Sequence, residues 1–408
     1  MKCRHCHTPL TTPVIDLGTA PPSNAYLTRS KLHEPEVWFP LRVLVCDECH
    51  LVQTEDFAAH DALFGEDYAY FSGFSQSWLD HARGYVAAMV DRHGLHAGSH
   101  VVEVASNDGY LLQYFAQAGI PCLGIEPTHS TAQAARARGI ATIEAFFGVA
   151  LAHKLVGEGH AADLITANNV LAHVPDINDF VAGFAVLLKP QGTATFEFPH
   201  LLRLIEEVQF DTIYHEHFSY LSLLAVERIF LHNHLTVVDV EHLPTHGGSL
   251  RVHARRSDSN PGPVSDRVVA LRAREAAAGL AGSDIYARLQ PRAEGIRDAL
   301  LLFLIEAKRQ GKRVAAYGAA AKGNTMLNFA GVRSDLLGYV VDRNPAKIGK
   351  FLPGSRIPIV GKEHLLADQP DFIVILPWNL RNEIITQLAE ARTWGAQFVV
   401  AVPQLAIM

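Results

Sequence analysis

The densest run of proton-active side chains is Tyr214-His215-Glu216-His217, followed at a short distance by Tyr220. Histidine, with an ordinary pKa near ~6.5, trades protons close to neutral pH, and a carboxylate or phenol beside it can orient the ring or share the proton. Taken as an extended strand, the segment puts Tyr214 and Glu216 on one face and His215 and His217 on the other. Three readings follow. The run is a general base with its orienting neighbours, or a His-x-His metal site, since two imidazoles on one face suit zinc or iron, or a polar surface loop.

A second group of reactive side chains lies at the start. Four of the five cysteines form two pairs, Cys3-Arg4-His5-Cys6 and Cys46-Asp47-Glu48-Cys49. Two Cys-x-x-Cys pairs supply the four thiolates of a tetrahedral zinc site. With all four positions filled by sulfur, no coordination site is left for water, so the metal is expected to be structural. Cys122 stands alone in an apolar stretch and reads as a core thiol.

Bulk properties limit the partners. A chain of 408 residues with net charge −7 is long enough for two or three domains and lacks the basic face that nucleic acid requires. No run reaches the ~18 apolar residues of a membrane span, and the opening residues have no signal-peptide core. The expectation is a cytoplasmic monomer that acts on a small molecule, with no nucleic acid and no membrane among its partners.

The central third must position the proton-active run, and it alternates strands and helices. Apolar strands are expected at 99–105, 121–125, 163–167 and 193–198, with helices at 110–118, 130–138 and 180–188. This is the rhythm of a doubly wound parallel sheet, which binds ligands beyond the carboxyl ends of its strands. The first strand ends in Glu103, Ser106, Asn107, Asp108 and Gly109 rather than in a Gly-x-Gly-x-x-Gly turn. Such an acidic turn repels a pyrophosphate and accommodates a cationic nucleoside, and S-adenosylmethionine is one. Glu126, ending the second strand, is placed to accept the ribose hydroxyls. A nucleotide- or flavin-binding unit with a degenerate loop is the competing reading.

On either side lie further elements. An aromatic run, 68–74, precedes a helix over 76–92, and Tyr68 and Tyr70 could send hydroxyls into a cleft. A helix is expected at 221–232 and a strand at 236–240. His246-Gly247-Gly248-Ser249 then lets the backbone approach a ligand closely, or simply closes a hairpin. Residues 257–265 read as a linker, and 266–309 as one or two connecting helices. A second α/β rhythm follows, with strands at 313–317, 337–341, 372–376 and 398–402. Its first turn, Gly318 to Thr325, has phosphate-loop glycine spacing, but Asn324 occupies the position of the loop lysine. Such a turn at a helix N-terminus suits a diphosphate, with charge from Lys322.

Together these motifs resemble the sugar C-methyltransferases of deoxysugar biosynthesis, which act on nucleotide-linked 4-keto-6-deoxyhexoses. The resemblance runs through the two cysteine pairs, Glu103–Gly109, Tyr214–His217, His246–Ser249 and Gly318–Thr325, and so covers essentially the whole chain. It implies an α/β architecture: a small zinc-binding module (1–75), a class I methyltransferase domain with a doubly wound sheet (76–255), connecting helices (256–310) and a Rossmann-like lobe (311–408). It implies zinc on Cys3, Cys6, Cys46 and Cys49. It implies S-adenosylmethionine at Glu103, Ser106, Asn107, Asp108, Gly109, Glu126 and Asn168. Catalytic roles would fall on Tyr68, His173, Tyr214, Glu216 and His217, and contacts to a nucleotide-sugar on His246, Gly247, Gly318, Lys322, Asn324 and Asp342. The implied reaction is methylation next to the ketone, at C-3, through an enolate. The alternatives are an O- or N-methyltransferase, which needs a base but no enolate donors, and a zinc-ribbon scaffold that only binds nucleotides.

Overall fold

The computed structural model describes residues 1–55, 73 and 76–408. Tyr68 and Tyr70 lie outside them. The chain begins with strand β1 (Thr12–Ala20), paired antiparallel with β2 (Phe39–Val45), which pairs with β3 (Val52–Thr54). Two matching cysteine turns flank these strands. In each, the residue after the second cysteine, His7 or His50, has positive φ, and its N–H returns to the carbonyl of the first cysteine at 3.0 and 2.9 Å.

The central domain opens with the helix Gln76–His93 and builds β4 (Val101–Val104), β5 (Cys122–Ile125), β6 (Thr142–Ile143), β7 (Ala162–Asn168) and β8 (Leu188–Pro199) as a parallel array. β4 is buried throughout and β7 over most of its length, because helices cover both faces, so their sequences run apolar rather than alternating. β9 (Ser219–Tyr220) departs from this array. It pairs with β3, so the segment after Tyr214–His217 becomes the fourth strand of the N-terminal sheet. The chain then returns through the helix Leu223–His232, whose first turn is capped by the Ser222 hydroxyl.

β10 (Leu235–Leu243) and β11 (Ser249–Arg256) form an antiparallel hairpin closed by residues 244–248, which completes a seven-stranded sheet in the order β10-β11-β8-β7-β4-β5-β6. Five parallel strands with an antiparallel hairpin at one edge make this the class I methyltransferase sheet. The expected linker ends at Ser265, which caps the helix Asp266–Ala278. The helices Asp284–Ala287 and Leu289–Arg309 follow, giving three connecting helices where one or two were expected. Gly279 in the left-handed region stops the first, and that stop divides the stretch.

The C-terminal lobe adds β12 (Val314–Tyr317), β13 (Val340–Val341), β14 (Ile359–Val360), β15 (Phe372–Ile375), β16 (Gln397–Val400) and β17 (Ala406–Ile407). They form one sheet in the order β14-β13-β12-β15-β16-β17, parallel except at β17. The apolar core does not divide at the same places as the sheets. One cluster joins Val14, Leu41 and Val52 of the first sheet to Leu202, Phe210 and Ile213, and on to Met326, Val374 and Phe398 of the lobe. No helix among the described residues is long and apolar enough to cross a membrane.

Candidate active site

The cysteine turns bring Cys3, Cys6, Cys46 and Cys49 together, all four sulfurs within 4.8 Å of one another and the closest pairs at 3.4 Å. A tetrahedron with Zn–S bonds of ~2.3 Å has S–S edges of about 3.8 Å, so zinc fits with small adjustments. Gln53 Nε2 donates to the Cys3 sulfur at 3.3 Å, a contact that suits a thiolate. The four cysteines are arranged to hold zinc, and four sulfur ligands would leave the ion no open position for substrate.

At the end of β4 the backbone turns sharply through Ala105, Asn107 and Gly109, all at positive φ. Gly124 on the neighbouring strand must lack a side chain, since a Cβ there would sit 2.4 Å from Ser106 Oγ. Glu126 accepts the Asn107 and Thr128 N–H groups at 2.9 Å each, which leaves each oxygen a further lone pair. Asp108 Oδ2 faces Arg138 at 3.0 Å and the Gly73 N–H at 3.2 Å. Its Oδ1, with Ser106 Oγ and Asn169 Oδ1, is buried with no partner among the described residues. Glu103 is pushed well above its ordinary value by burial, then by the neighbouring Asp108 and Glu126 carboxyls. Unpaired buried oxygens amid three crowded carboxyl groups suit the sulfonium and ammonium of S-adenosylmethionine, whose ammonium donates where these oxygens accept. Asn168 ends β7 beside this turn, accepting from Thr166 Oγ1 at 3.4 Å.

The proton-active run is a turn, not a strand. After a 3-10 turn at Phe210–Thr212, His217 N–H bonds to the Tyr214 carbonyl at 2.9 Å. A β-turn puts its first and fourth residues side by side and sends the middle two away. So Tyr214 and His217 lie side by side, ring centroids 3.9 Å apart and planes tilted by 34°, with Tyr214 Oη 2.6 Å from His217 Nε2. His215 instead donates to the Pro40 carbonyl at 3.1 Å, and buried Glu216 accepts from Asn24 Nδ2 at 2.8 Å on both oxygens. This corrects the extended reading, which paired Tyr214 with Glu216 and His215 with His217. The His-x-His metal site does not form, because the two imidazoles are tied to different parts of the fold. Among the described residues the cysteines are the one group arranged to hold a metal.

Three elements suspend this turn. The Phe218 N–H bonds to the Ala172 carbonyl at 2.8 Å, Thr54 Oγ1 donates to the His217 carbonyl at 3.1 Å, and Thr325 Oγ1 donates to the Ile213 carbonyl at 2.7 Å. His217 Nδ1 lies 2.9 Å from the Thr212 carbonyl, which can only accept. Nδ1 therefore carries the proton, Nε2 keeps its lone pair, and the Tyr214 hydroxyl donates to it. His173 stands edge-on at 4.6 Å. Burial, then His173, His246 and Lys322, hold His217 well below its ordinary pKa, against the pull of the Thr212 carbonyl. His217 is neutral at neutral pH, the form a base needs.

Facing it is the turn that closes the β10–β11 hairpin. His246 has φ of 53°, accepts from Asn169 Nδ2 at 3.3 Å, and packs edge-on to Trp78 at 5.3 Å. Gly247 is required there, since a Cβ would meet Trp378 at 2.5 Å. The glycine turn thus closes the hairpin and also faces the cleft. The C-terminal loop is partly self-satisfied: Asp342 accepts the Ala319 and Asn344 N–H groups at 2.8 Å, and Gly318, at φ of 92°, packs on Pro377. Asn324 is buried, its amide donating to the Ser23 carbonyl at 2.6 Å. Lys322 donates to Asn379 of the same lobe at 2.7 Å and lies over the Trp378 ring, which packs against Gly247.

Several residues at the site are absent from the sequence-based expectations. Glu197, fully buried at the end of β8, accepts from His81, Arg251 and Thr245 at 2.8–2.9 Å. These partners hold it ionised, below the ordinary glutamate value, despite its burial. Trp378 and Asp211 are likewise joined at 2.8 Å. A lone charge within an apolar strand was the available clue to Glu197, because burying it demands partners.

Comparison with known proteins covers most of the chain in three parts. Family profiles match as a zinc binding domain at residues 3–64, a methyltransferase domain at 78–240 and a C-methyltransferase C-terminal domain at 244–403. C-methyltransferase NovU from Streptomyces niveus is 35% identical over 403 residues, which is 99% of this chain and 96% of that one. Ubiquinone biosynthesis O-methyltransferase from Bordetella avium (strain 197N) is 31% identical over 106 residues, 24% of this chain and 42% of its own. The solved magnesium protoporphyrin IX methyltransferase from Synechocystis PCC 6803, with bound SAM, overlaps loosely: TM-score 0.34 at 16% identity, over 44% of this chain and 79% of that one. With the cysteine cluster, the acidic donor turn and a full-length relative in agreement, the chain belongs to the C-methyltransferase family that its motifs resemble, as a zinc-carrying, S-adenosylmethionine-dependent methyltransferase.

Proposed function

We infer that the substrate is a nucleotide-linked 4-keto-6-deoxy sugar, methylated next to its ketone at C-3, and that His217 removes the proton. The observation that carries this reading is the Tyr214–His217 pair, whose tautomer is fixed by the Thr212 carbonyl so that Nε2 is the basic nitrogen. A C–H beside a ketone yields to a weak base only where the resulting enolate is stabilised. His217 takes the proton at Nε2 as the Tyr214 hydroxyl turns from that lone pair to donate to the enolate, with His173 beside them. Glu216 acts behind the turn through Asn24 and is a positioning residue. S-adenosylmethionine, held at the end of β4 with Glu126 on its ribose, supplies the methyl group. The relative named a C-methyltransferase supports carbon as the acceptor.

The test is proton exchange. The protein is incubated in deuterated water with nucleotide-linked 4-ketosugars and no methyl donor, and label is sought beside the ketone. Label at C-3 is expected. Label and product methylation at C-5, which the ketone acidifies equally, would move the acceptor to that carbon. Methylation of an oxygen or nitrogen without exchange would overturn the enolate reading.

A further inference from the structure

Lys322 stands at the first turn of the helix Ala321–Phe329, on the face of the C-terminal lobe that meets the histidine turn and the base-bearing segment. Its ammonium donates to Asn379 Oδ1 at 2.7 Å and lies 4.9 Å over the Trp378 ring. That ring packs against Gly247 on the histidine turn and donates its indole N–H to Asp211 at 2.8 Å. Asp211 is buried with Oδ1 unpartnered. The helix is pinned to the base-bearing segment by the bond from Thr325 to the Ile213 carbonyl. A cation is thereby fixed on the Trp378 ring, which packs against the histidine turn, in a helix tied to the base-bearing segment.

The charge is felt by both rings, since Lys322 helps to depress His217 and His246. A lone ammonium is costly to bury, and among the described residues its direct side-chain contacts are a neutral amide and an aromatic ring, neither of them an anion. Asp211 offsets the charge from a distance, and burial pushes its own carboxyl up to about 6. This is the arrangement expected where negative charge develops only during reaction.

We propose that Lys322 is a catalytic residue of methyl transfer, its ammonium taking the charge that develops on the substrate's carbonyl oxygen as His217 removes the neighbouring proton. The proposal rests on the ketosugar reading above. In the step, the C–H bond breaks and the proton goes to His217 Nε2. The bonding pair becomes the carbon–carbon double bond, and the carbonyl π pair moves to oxygen beside the ammonium.

Lys322→Met keeps the length of the side chain and removes the charge. Solvent exchange beside the ketone and kcat are expected to fall by about 10² to 10³ with KM nearly unchanged. The acid limb of the pH profile should move upward as His217 loses a neighbouring cation. Lys322→Arg should recover part of the exchange. Should Lys322→Met fail to fold, Lys322→Gln serves instead: it keeps a polar end beside Asn379 and removes the charge, and the same loss of exchange is expected. Exchange that survives either variant at saturating sugar while KM rises would overturn the proposal and make Lys322 a ligand for the diphosphate. If the unaltered protein exchanges no proton with any ketosugar, the ketosugar reading itself fails.

Discussion

His217 is kept neutral by its neighbours, and the cost of protonating it is visible in both rate and stability. Because its folded pKa lies below the ordinary ~6.5, the acid limb of kcat/KM should fall below pH 6.5. His217→Asn should bind both ligands while turnover and solvent exchange drop together by about 10² to 10⁴. Exchange that persisted while methylation stopped would pass the role to His173 or Tyr214. His246 is depressed to about 4, mainly by burial and then by Lys322. The folded state therefore resists its protonation, so stability is full above ~6.5 and declines as pH falls toward 4. Thermal unfolding of His246→Asn should show a flatter dependence across that window. Glu126→Ala should weaken S-adenosylmethionine binding, followed by calorimetry, and leave sugar binding alone. Equal donor affinity would place the ribose elsewhere.

The turn at 214–217 shows what local pattern could and could not reveal. The strands of the parallel sheet were legible because burial on both faces makes them apolar runs, and the cysteine pairs because spacing alone defines the knuckle. The turn was misread as extended, since its geometry depends on remote groups: Thr54, Ala172 and Thr325 hold its ends, and Pro40 and Asn24 bind its middle. His81, Arg251, Asp211 and Trp378 stayed hidden for the same reason, each meeting its partner across elements distant in sequence. Glu216 illustrates the cost. Burial raises its carboxyl to about 7, against the pull of Asn24, so the folded state favours the neutral acid. Stability is then highest below ~4.5 and declines as pH rises to about 7. Glu216→Gln should therefore gain stability at pH 8, on the order of 3 kcal/mol at most at ~1.4 per pKa unit, and little at pH 4. A loss at both pH values would show that the carboxylate itself is needed. Cys46→Ser should lose zinc, seen by metal analysis, and unfold at lower temperature. Full zinc content with unchanged melting would remove the knuckle assignment.

In the whole molecule the three sheets share their cores unevenly. The cluster that joins Val14 and Leu41 to Phe210 and on to Phe398 passes beneath the base-bearing segment. A chain ended near residue 311 would bare the lobe-facing side of Phe210 and Ile213 and leave Asp211 without its indole donor. It should be insoluble or melt far below the full chain, and normal melting would show the lobe to be an independent attachment.

β9 has a consequence for how such enzymes can be recombined. The turn that carries His217 is encoded inside the methyltransferase stretch, but it is strung between the zinc-bearing sheet at Val52 and the last lobe at Thr325. A chimera cut at the apparent borders of the middle stretch would import a turn fitted to a foreign clasp at both ends. The interchangeable piece is the donor-binding sheet without residues 201–220, which have to stay with the two outer bodies as their inheritance.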